Sequence, residues 1–354
     1  MTIEKILVAM SGGVDSSVAA FLLKEQGLDC VGVTMHLFSP ALTANCAAAV
    51  SCDSTDAEKI AKQIGIPFEI CDYSEEFKQN VVDYFIQTYI DGGTPNPCVE
   101  CNRTMKFGKL YEAALRYRCD KIATGHYANI EKDTNGRYLL SAASDDSKDQ
   151  TYVLWSLSQD QLARTIFPLG GLRKSEIREI ALTQGFCNAN RRDSQDICFI
   201  PDGDYVSFIE KNTDLTFPHG KFVDLNGNVL GEHQGLIRYT IGQRKGLGIA
   251  FGKPTYVCGK ETASNTVILG ENSDLFHRDL TAHAINLIAT DRIDAPLRVQ
   301  AKVRYSAKAA PATVEQVDAD TLRVRFDEPQ RAICKGQSLV MYDGNLVIGG
   351  GIIN

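Results

Sequence analysis

The chain has 354 residues, too many for one typical core, and its 44% apolar and 23% charged content fits a globular protein of two or three domains. Its longest apolar runs, residues 6–10 and 18–23, fall far short of the roughly 20 that span a bilayer. The opening MTIEKILVAMSGG has an early acid and no small-residue cleavage site, so a cytosolic protein with no membrane partner is expected. The net charge of −7 argues against non-specific coating of nucleic acid but leaves room for a local basic patch.

Along the first two hundred residues apolar strands alternate with helical patterns. KILVAM leads into the helical VAAFLLKEQG, then come the strand CVGVTMHLF, the helix DAEKIAKQIG and the strand PFEICDY. A long helical stretch over 75–89, a Gly/Pro-rich loop, a helix over 108–118 and the strand KIATGHYA follow. Strands alternating with helices predict a parallel sheet covered on both faces, and such sheets bind ligands beyond the carboxyl ends of their strands. SGGVDSS, the HLF end of the second strand and TGHY all fall at those ends. Residues 41–52 (ALTANCAAAVSC) are weakly patterned and expected to form a mobile loop. Past residue 200, turn clusters such as FPHGKF, LNGN and GQRKGLG separate short strand-like runs, and from about 275 closely spaced strands predict a small barrel. Three domains are expected: 1–205, a small mostly β domain over 206–274, and a β-barrel over 275–354.

The loop SGGVDSS, residues 11–17, leaves the first strand through two glycines and enters a helix. Glycine lets the backbone approach phosphate oxygens, and the N–H groups of the helix start then point at the anion. Ser11, Ser16 and Ser17 add hydroxyl donors. The lysine of the GxxxxGK[ST] phosphate loop is missing, so γ-phosphoryl transfer is not indicated. SGGVDSS resembles the PP-loop of ATP pyrophosphatases, which cleave ATP between the α- and β-phosphates and leave AMP on a substrate oxygen. That resemblance implies a Rossmann-like α/β sheet of the adenine nucleotide alpha hydrolase type, and it does not name the acceptor.

Eleven cysteines in a reducing compartment are expected to be buried, catalytic or metal-binding rather than disulfide-bonded, and their odd count and scatter form no disulfide framework. Cys98 and Cys101 make a CxxC in GGTPNPCVECNRTMKFGKL; no second CxxC completes a zinc site. Cys198 lies in the polar segment RRDSQDICFI. Beside an adenylating loop, distant cysteines suggest sulfur chemistry: adenylation turns a pyrimidine carbonyl oxygen into a good leaving group, a persulfide attacks the carbon, and a second cysteine releases the sulfur.

The blocks SGGVDSS, TPNPCVECNRTMKFG, ATGHYA, SKDQTYVLW, DSQDICFI, IGQRKGLG and VRYS resemble, in this order, those of the bacterial tRNA-specific 2-thiouridylases, which convert the wobble uridine to 2-thiouridine. The resemblance implies that Ala9, Met10, Ser11, Gly12, Gly13, Val14, Asp15 and Ser16 hold the phosphates of ATP, with Met35 and Gly125 on the adenine nucleotide. It implies Cys101 as nucleophile and Cys198 as persulfide carrier, a pair that reaches disulfide distance during the cycle. Asn96, Pro97 and Cys98 are implied to line the pocket of the flipped base; the third of these can be Asp in the family. His126, Lys148, Asp149, Gln150, Arg304, Tyr305 and Gln337 are implied to touch the tRNA. The partners it implies are the tRNAs for Lys, Glu and Gln and a cysteine desulfurase or sulfur-relay protein.

On physical grounds alone Asp15 suits either the Mg²⁺ that accompanies ATP or a helix cap, and His126 either substrate contact or solvent exposure. Four basic clusters suggest a phosphate-tracking surface: 103–118, Arg191–Arg192, Arg238 with Arg244 and Lys245, and Lys302 with Arg304 and Lys308. Two alternatives remain at this point: another PP-loop synthetase acting on a small molecule, which has no need of two cysteines, and a non-catalytic ATP-sensing module.

Overall fold

The computed structural model describes residues 4–38, 54–191, 197–249 and 252–354. The expected mobile loop at 41–52, with Cys46 and Cys52, and Arg192 lie outside the described residues. The chain divides into two units: residues 1–82, 97–203 and 345–348 form one, and residues 83–96, 204–344 and 349–354 the other.

In the first unit the strands are β1 (Lys5–Ala9), β2 (Asp29–His36), β3 (Phe68–Asp72), β4 (Lys121–Ala123), the hairpin β5 (Asn129–Lys132) and β6 (Tyr138–Ser141), and β7 (Thr165–Ile166). The parallel sheet runs β3-β2-β1-β4-β7. Ile6, Leu7 and Val8 of β1 are all fully buried, as the continuous apolar run of a doubly covered strand requires, and each contributes about 1.5–3 kcal/mol of hydrophobic stabilisation. Strand order reverses between β1 and β4, and the crevice beyond their carboxyl ends is where such sheets take ligands.

Two element boundaries differ from expectation. Helical structure begins at Pro97 rather than at 108 and continues to Arg116, through Pro97–Glu100, the wide-turned Cys101–Lys109 and Leu110–Arg116. Pro97 occupies the first helical position, where a missing N–H costs nothing, so the CxxC stands on a helix and not in a loop. The stretch KIATGHYA is strand only over Lys121–Ala123. It stops before Gly125, whose backbone runs against the loop of residues 11–17: a Cβ there would lie 2.7 Å from Ser16 N.

In the second unit β8 (Gly220–Val223), β9 (Val229–His233), β10 (Tyr256–Glu261) and β11 (Thr266–Gly270) form a sheet in the order β10-β11-β8-β9 around Phe222, Tyr239, Val257, Val267 and Leu269. The strands β12 (Phe276–Leu287), β13 (Leu297–Lys302), β14 (Ala310–Gln316), β15 (Leu322–Arg331), β16 (Ser338–Asp343) and β17 (Leu346–Ile353) follow, the last with residues 346–348 counted in the first unit. Their order is β12-β15-β14-β13-β16-β17, and β17 pairs back onto β12 through Ala282 and Ile353, which closes a six-stranded barrel. Along β15, Leu322, Val324 and Phe326 turn inward while Arg323 and Arg325 face out, the period-two pattern of a barrel wall. The Rossmann-like sheet, the small mostly β domain and the C-terminal barrel are thus as expected. Among the described residues no helix is long and apolar enough to cross a membrane.

Candidate active site

β1 ends at Ala9, and Met10 is buried while Ser11 is exposed. Gly12 adopts φ 74°, a left-handed conformation that only glycine takes without strain, and Gly13 is the extended N-cap of helix α1 (Val14–Glu25). No side chain caps this helix, so its first N–H groups point, with the positive end of the helix dipole, into the crevice at the β1/β4 switch. The Oγ atoms of Ser16 and Ser17 both donate to Gly13 O, at 3.0 and 2.9 Å, and Ser11 N donates to Ser16 Oγ at 3.1 Å. The fully buried Ser17 shapes the loop, which corrects its reading as a donor to ligand; Ser11 presents an exposed hydroxyl. Asn188 Nδ2 holds Gly12 O at 2.8 Å and Ser17 Oγ at 3.0 Å. Met35 of β2 is buried beside the loop's strand, and Thr34 Oγ1 donates to Met10 O at 2.5 Å.

Asp15 is neither an open metal ligand nor a cap. Lys174 Nζ donates to both of its oxygens, at 2.7 and 2.8 Å, and Tyr127 Oη donates to Oδ1 at 2.6 Å. The pair is largely enclosed, with 11% of the Lys174 side chain and 29% of that of Asp15 exposed. Lys174 opens the helix Lys174–Thr183, and its own N–H donates to Asp145 Oδ2 at 3.0 Å. An ammonium therefore does stand at this loop, brought from 159 positions downstream. With its oxygens so engaged, this carboxylate does not fit a Mg²⁺ ligand.

The helix from Pro97 carries Cys98 and Cys101. Cys101 is 8% exposed and opens the wide-turned segment, a distortion that recurs at functional sites. Cys98 keeps exposed surface, yet the protein around its thiol pushes the pKa up by desolvation, with the Lys106 ammonium acting against it. Asn102, next to Cys101, is buried and donates to Val153 O at 2.8 Å. Cys101 is buried, whereas Cys198 is exposed in a turn.

His126 follows Gly125 and is enclosed rather than solvent-exposed, at 7% exposure. Its Nδ1 lies 2.7 Å from Thr124 Oγ1, and the rings of Phe107 and Phe167 stand 5.7 and 5.8 Å away. Burial holds its pKa well below the usual histidine value, with Lys106 adding to the effect, so the imidazole is neutral at pH 7. Asp149 accepts from Ala143 N and Thr151 Oγ1, and Gln150 Oε1 accepts from Tyr127 N, so both hold the 143–151 loop against the segment bearing His126. Lys148 lies half-buried at the same turn.

In the second unit Arg304 follows β13 in a turn and donates to the carbonyls of Arg331 and Ala332, while Tyr305 is 52% exposed. Gln337 Nε2 donates to Thr94 O at 2.9 Å and Pro95 O at 3.1 Å, the two residues before Asn96.

The basic clusters are more neutralised than their sequence suggests. Arg103 pairs with Glu100 at 2.6 Å, Lys109 with Glu112 at 3.0 Å, Arg191 with Asp56 at 3.7 Å and Arg238 with Glu210 at 2.5 Å. The exposed cations Arg244, Lys245 and Lys308 have no carboxylate within ion-pair distance among the described residues. Lys174, Tyr127 and Asn188 escaped the sequence reading because nothing in their own surroundings points to a loop more than a hundred positions away.

Three family models match the chain: a tRNA methyl transferase HUP domain over residues 4–202, a tRNA methyl transferase PRC-barrel domain over 207–271 and an aminomethyltransferase beta-barrel domain over 277–353. The tRNA-specific 2-thiouridylase MnmA of Clostridioides difficile strain 630 is 51% identical, across 99% of this chain and 98% of its own length. The protein of the same name from Clostridium acetobutylicum is 47% identical across 99% of both chains, and that from Acetivibrio thermocellus 46% identical across 100% of both.

Proposed function

Because the chain belongs to the tRNA-specific 2-thiouridylase family, we propose that it makes 2-thiouridine at the wobble position of tRNA by an ATP-dependent, persulfide-fed reaction. Its activity is tRNA 2-thiolation. The domain descriptions speak of methyl transfer, but the relatives matched end to end are named thiouridylases, and the function follows them.

In the proposed course, the O2 atom of the target uridine attacks the α-phosphorus of ATP and pyrophosphate departs. Gly12, Gly13 and the free N–H groups at the start of α1 hold the phosphates, with Ala9, Met10, Ser11, Val14 and Ser16 forming the loop and Met35 and Gly125 flanking the nucleotide. Cys198 carries a persulfide, whose terminal sulfur attacks C2 as AMP leaves with the former O2. Cys101 then attacks the Cys198 sulfur; the S–S bond breaks, sulfur stays on C2, and a Cys101–Cys198 disulfide forms for an external thiol to reduce. Asn96, Pro97 and Cys98 receive the base, an unpaired anticodon-loop uridine being cheap to extrude. His126, Lys148, Asp149, Gln150, Arg304 and Tyr305 are proposed on the tRNA side of the reaction. The tRNAs for Lys, Glu and Gln are the proposed substrates and a cysteine desulfurase or relay protein, in the cytoplasm, the sulfur source.

The observation that carries the ATP step is the uncapped helix start with its left-handed Gly12 at the switch point of a parallel sheet. Incubation with bulk tRNA, ATP, a persulfide donor and a thiol reductant should yield AMP, pyrophosphate and 2-thiouridine in equal amounts. Cys101→Ser and Cys198→Ser should each abolish 2-thiouridine when the sulfur comes from a persulfide donor. Thiolation without AMP release, or AMP release that survives without tRNA, would sink the scheme.

A further inference from the structure

The segment 83–96 belongs to the second unit, and it ends on the residue that starts the proposed base pocket. Its helical part is anchored by aromatic contacts: Tyr89 stacks on Tyr205 at 4.6 Å and Phe85 meets Phe208 edge-on at 6.3 Å. Beyond the helix the chain has no regular partner, and its backbone polar groups still require one. Three successive carbonyls are met by side chains from elsewhere in the unit. Lys260 Nζ of β10 lies 3.4 Å from Gly93 O, and Gln337 Nε2 donates to Thr94 O at 2.9 Å and Pro95 O at 3.1 Å. Thr94 N in turn donates to Lys335 O at 2.8 Å.

The turn that supplies these groups is itself pinned to the barrel. Gly336 N donates to Ile353 O and Ile353 N to Gln337 O, both at 2.8 Å. Contact is close enough to exclude side chains. Gly336 has φ 84°, and a Cβ there would meet Thr88 Cγ2 at 2.8 Å and Thr94 N and O at 3.3 Å. A Cβ on Gly93 would meet Lys335 O at 3.2 Å. Burial pushes the Lys260 ammonium down to about 8, the desolvation of a lysine spent on a backbone carbonyl rather than on water.

We propose that Gln337 and Lys260 are positioning residues: they grip the carbonyls of residues 93–95 and so fix where Asn96, the next residue of the same unit, meets the target base. This rests on the proposed role of residues 96–98 at that base. It gives Gln337 a task other than touching tRNA, and it brings in Lys260, which no motif marked. A displaced pocket misaligns the uridine without removing any phosphate contact, so the loss falls on turnover and not on tRNA affinity. Misplacement by about 1 Å is enough for losses on the order of 100-fold in rate.

The test uses the full-length protein, thiolation kinetics on bulk tRNA at saturating ATP, and Gln337→Leu, Lys260→Met and Lys260→Arg. Gln337→Leu and Lys260→Met should lower kcat per folded molecule roughly 10-fold or more, with KM for tRNA within about twofold of the parent. Amide hydrogen exchange at Thr94 should accelerate in both. Lys260→Arg, which keeps a donor and a charge, should restore most of kcat. A raised KM for tRNA at unchanged kcat would make Gln337 a tRNA contact and overturn the proposal, as would unchanged kcat in both variants. Should Gln337→Leu fail to fold, Lys260→Met and its arginine counterpart decide alone. Asn96→Ala separates the two levels: if it thiolates normally, the base-pocket role of 96–98 is wrong, whereas a slow Asn96→Ala beside normal Gln337 and Lys260 variants removes only the grip.

Discussion

The ion pair between Lys174 and Asp15 gives the sharpest prediction about the nucleotide loop. Asp15 lies in the first turn of α1, beside the N–H groups proposed to hold phosphate, and it is neutralised by a lysine that touches both of its oxygens. Lys174→Met leaves a carboxylate next to the polyphosphate. Two like charges about 6 Å apart at an effective dielectric of 20–40 repel by roughly 1.5–3 kcal/mol, so KM for ATP should rise about 10- to 100-fold. Asp15→Asn in the same chain removes that charge. The double variant should therefore bind ATP better than Lys174→Met alone, a rescue that simple damage to the fold cannot produce. Stability follows the same pairing. Breaking a fully buried pair costs about 3–5 kcal/mol, and with 29% of the Asp15 side chain exposed solvent screening reduces this to roughly 1–3 kcal/mol. ATP affinity read by calorimetry and unfolding read by heat together check the prediction. A double variant that binds ATP no better than Lys174→Met, with stability effects that merely add, would refute the reasoning.

Three further outcomes are expected. His126 is buried neutral, so the unfolded chain takes up a proton that the folded chain does not; stability is complete above the unfolded value near 6.5 and falls as pH drops below it, by up to about 1.4 kcal/mol per unit. Denaturant melts between pH 7 and 5 should show this slope, and His126→Phe, packing between Phe107 and Phe167, should flatten it. Gly125→Ala places a methyl 2.7 Å from Ser16 N and 2.8 Å from the Asp15 carbonyl carbon, atoms of a helix start that cannot yield, so AMP formation should fall at least 10-fold while the second unit melts unchanged. Arg244→Ala with Lys245→Ala should weaken tRNA binding and reduce the slope of log affinity against log salt by roughly 1.5, whereas Arg238→Ala, already paired with Glu210, should leave the slope unchanged in a filter-binding titration.

Much of this protein is legible in the order of its residues. Alternating apolar runs and helical periods are local signals, and they specified the parallel sheet, the change to short strands past residue 200 and the glycine turn before α1. Pro97 shows the limit of local signals. A run of Gly and Pro reads as a loop, yet proline fits the first turn of a helix, and the helix from 97 to 116 follows from what it packs against.

Charge shows the same limit. Basic clusters are visible in the sequence, but whether a guanidinium faces solvent or a carboxylate depends on which acid the fold brings near, as Glu210 is brought to Arg238. The missing lysine of the phosphate loop is the clearest case. Residues 11–17 determined by themselves that no neighbouring ammonium would serve the loop. Only the tertiary structure decided that Lys174, at the start of a helix 159 positions away, stands on Asp15. Backbone conformation and apolar periodicity are short-range and are written along the chain, whereas pairing of buried charges is set by chain crossings that no local pattern encodes.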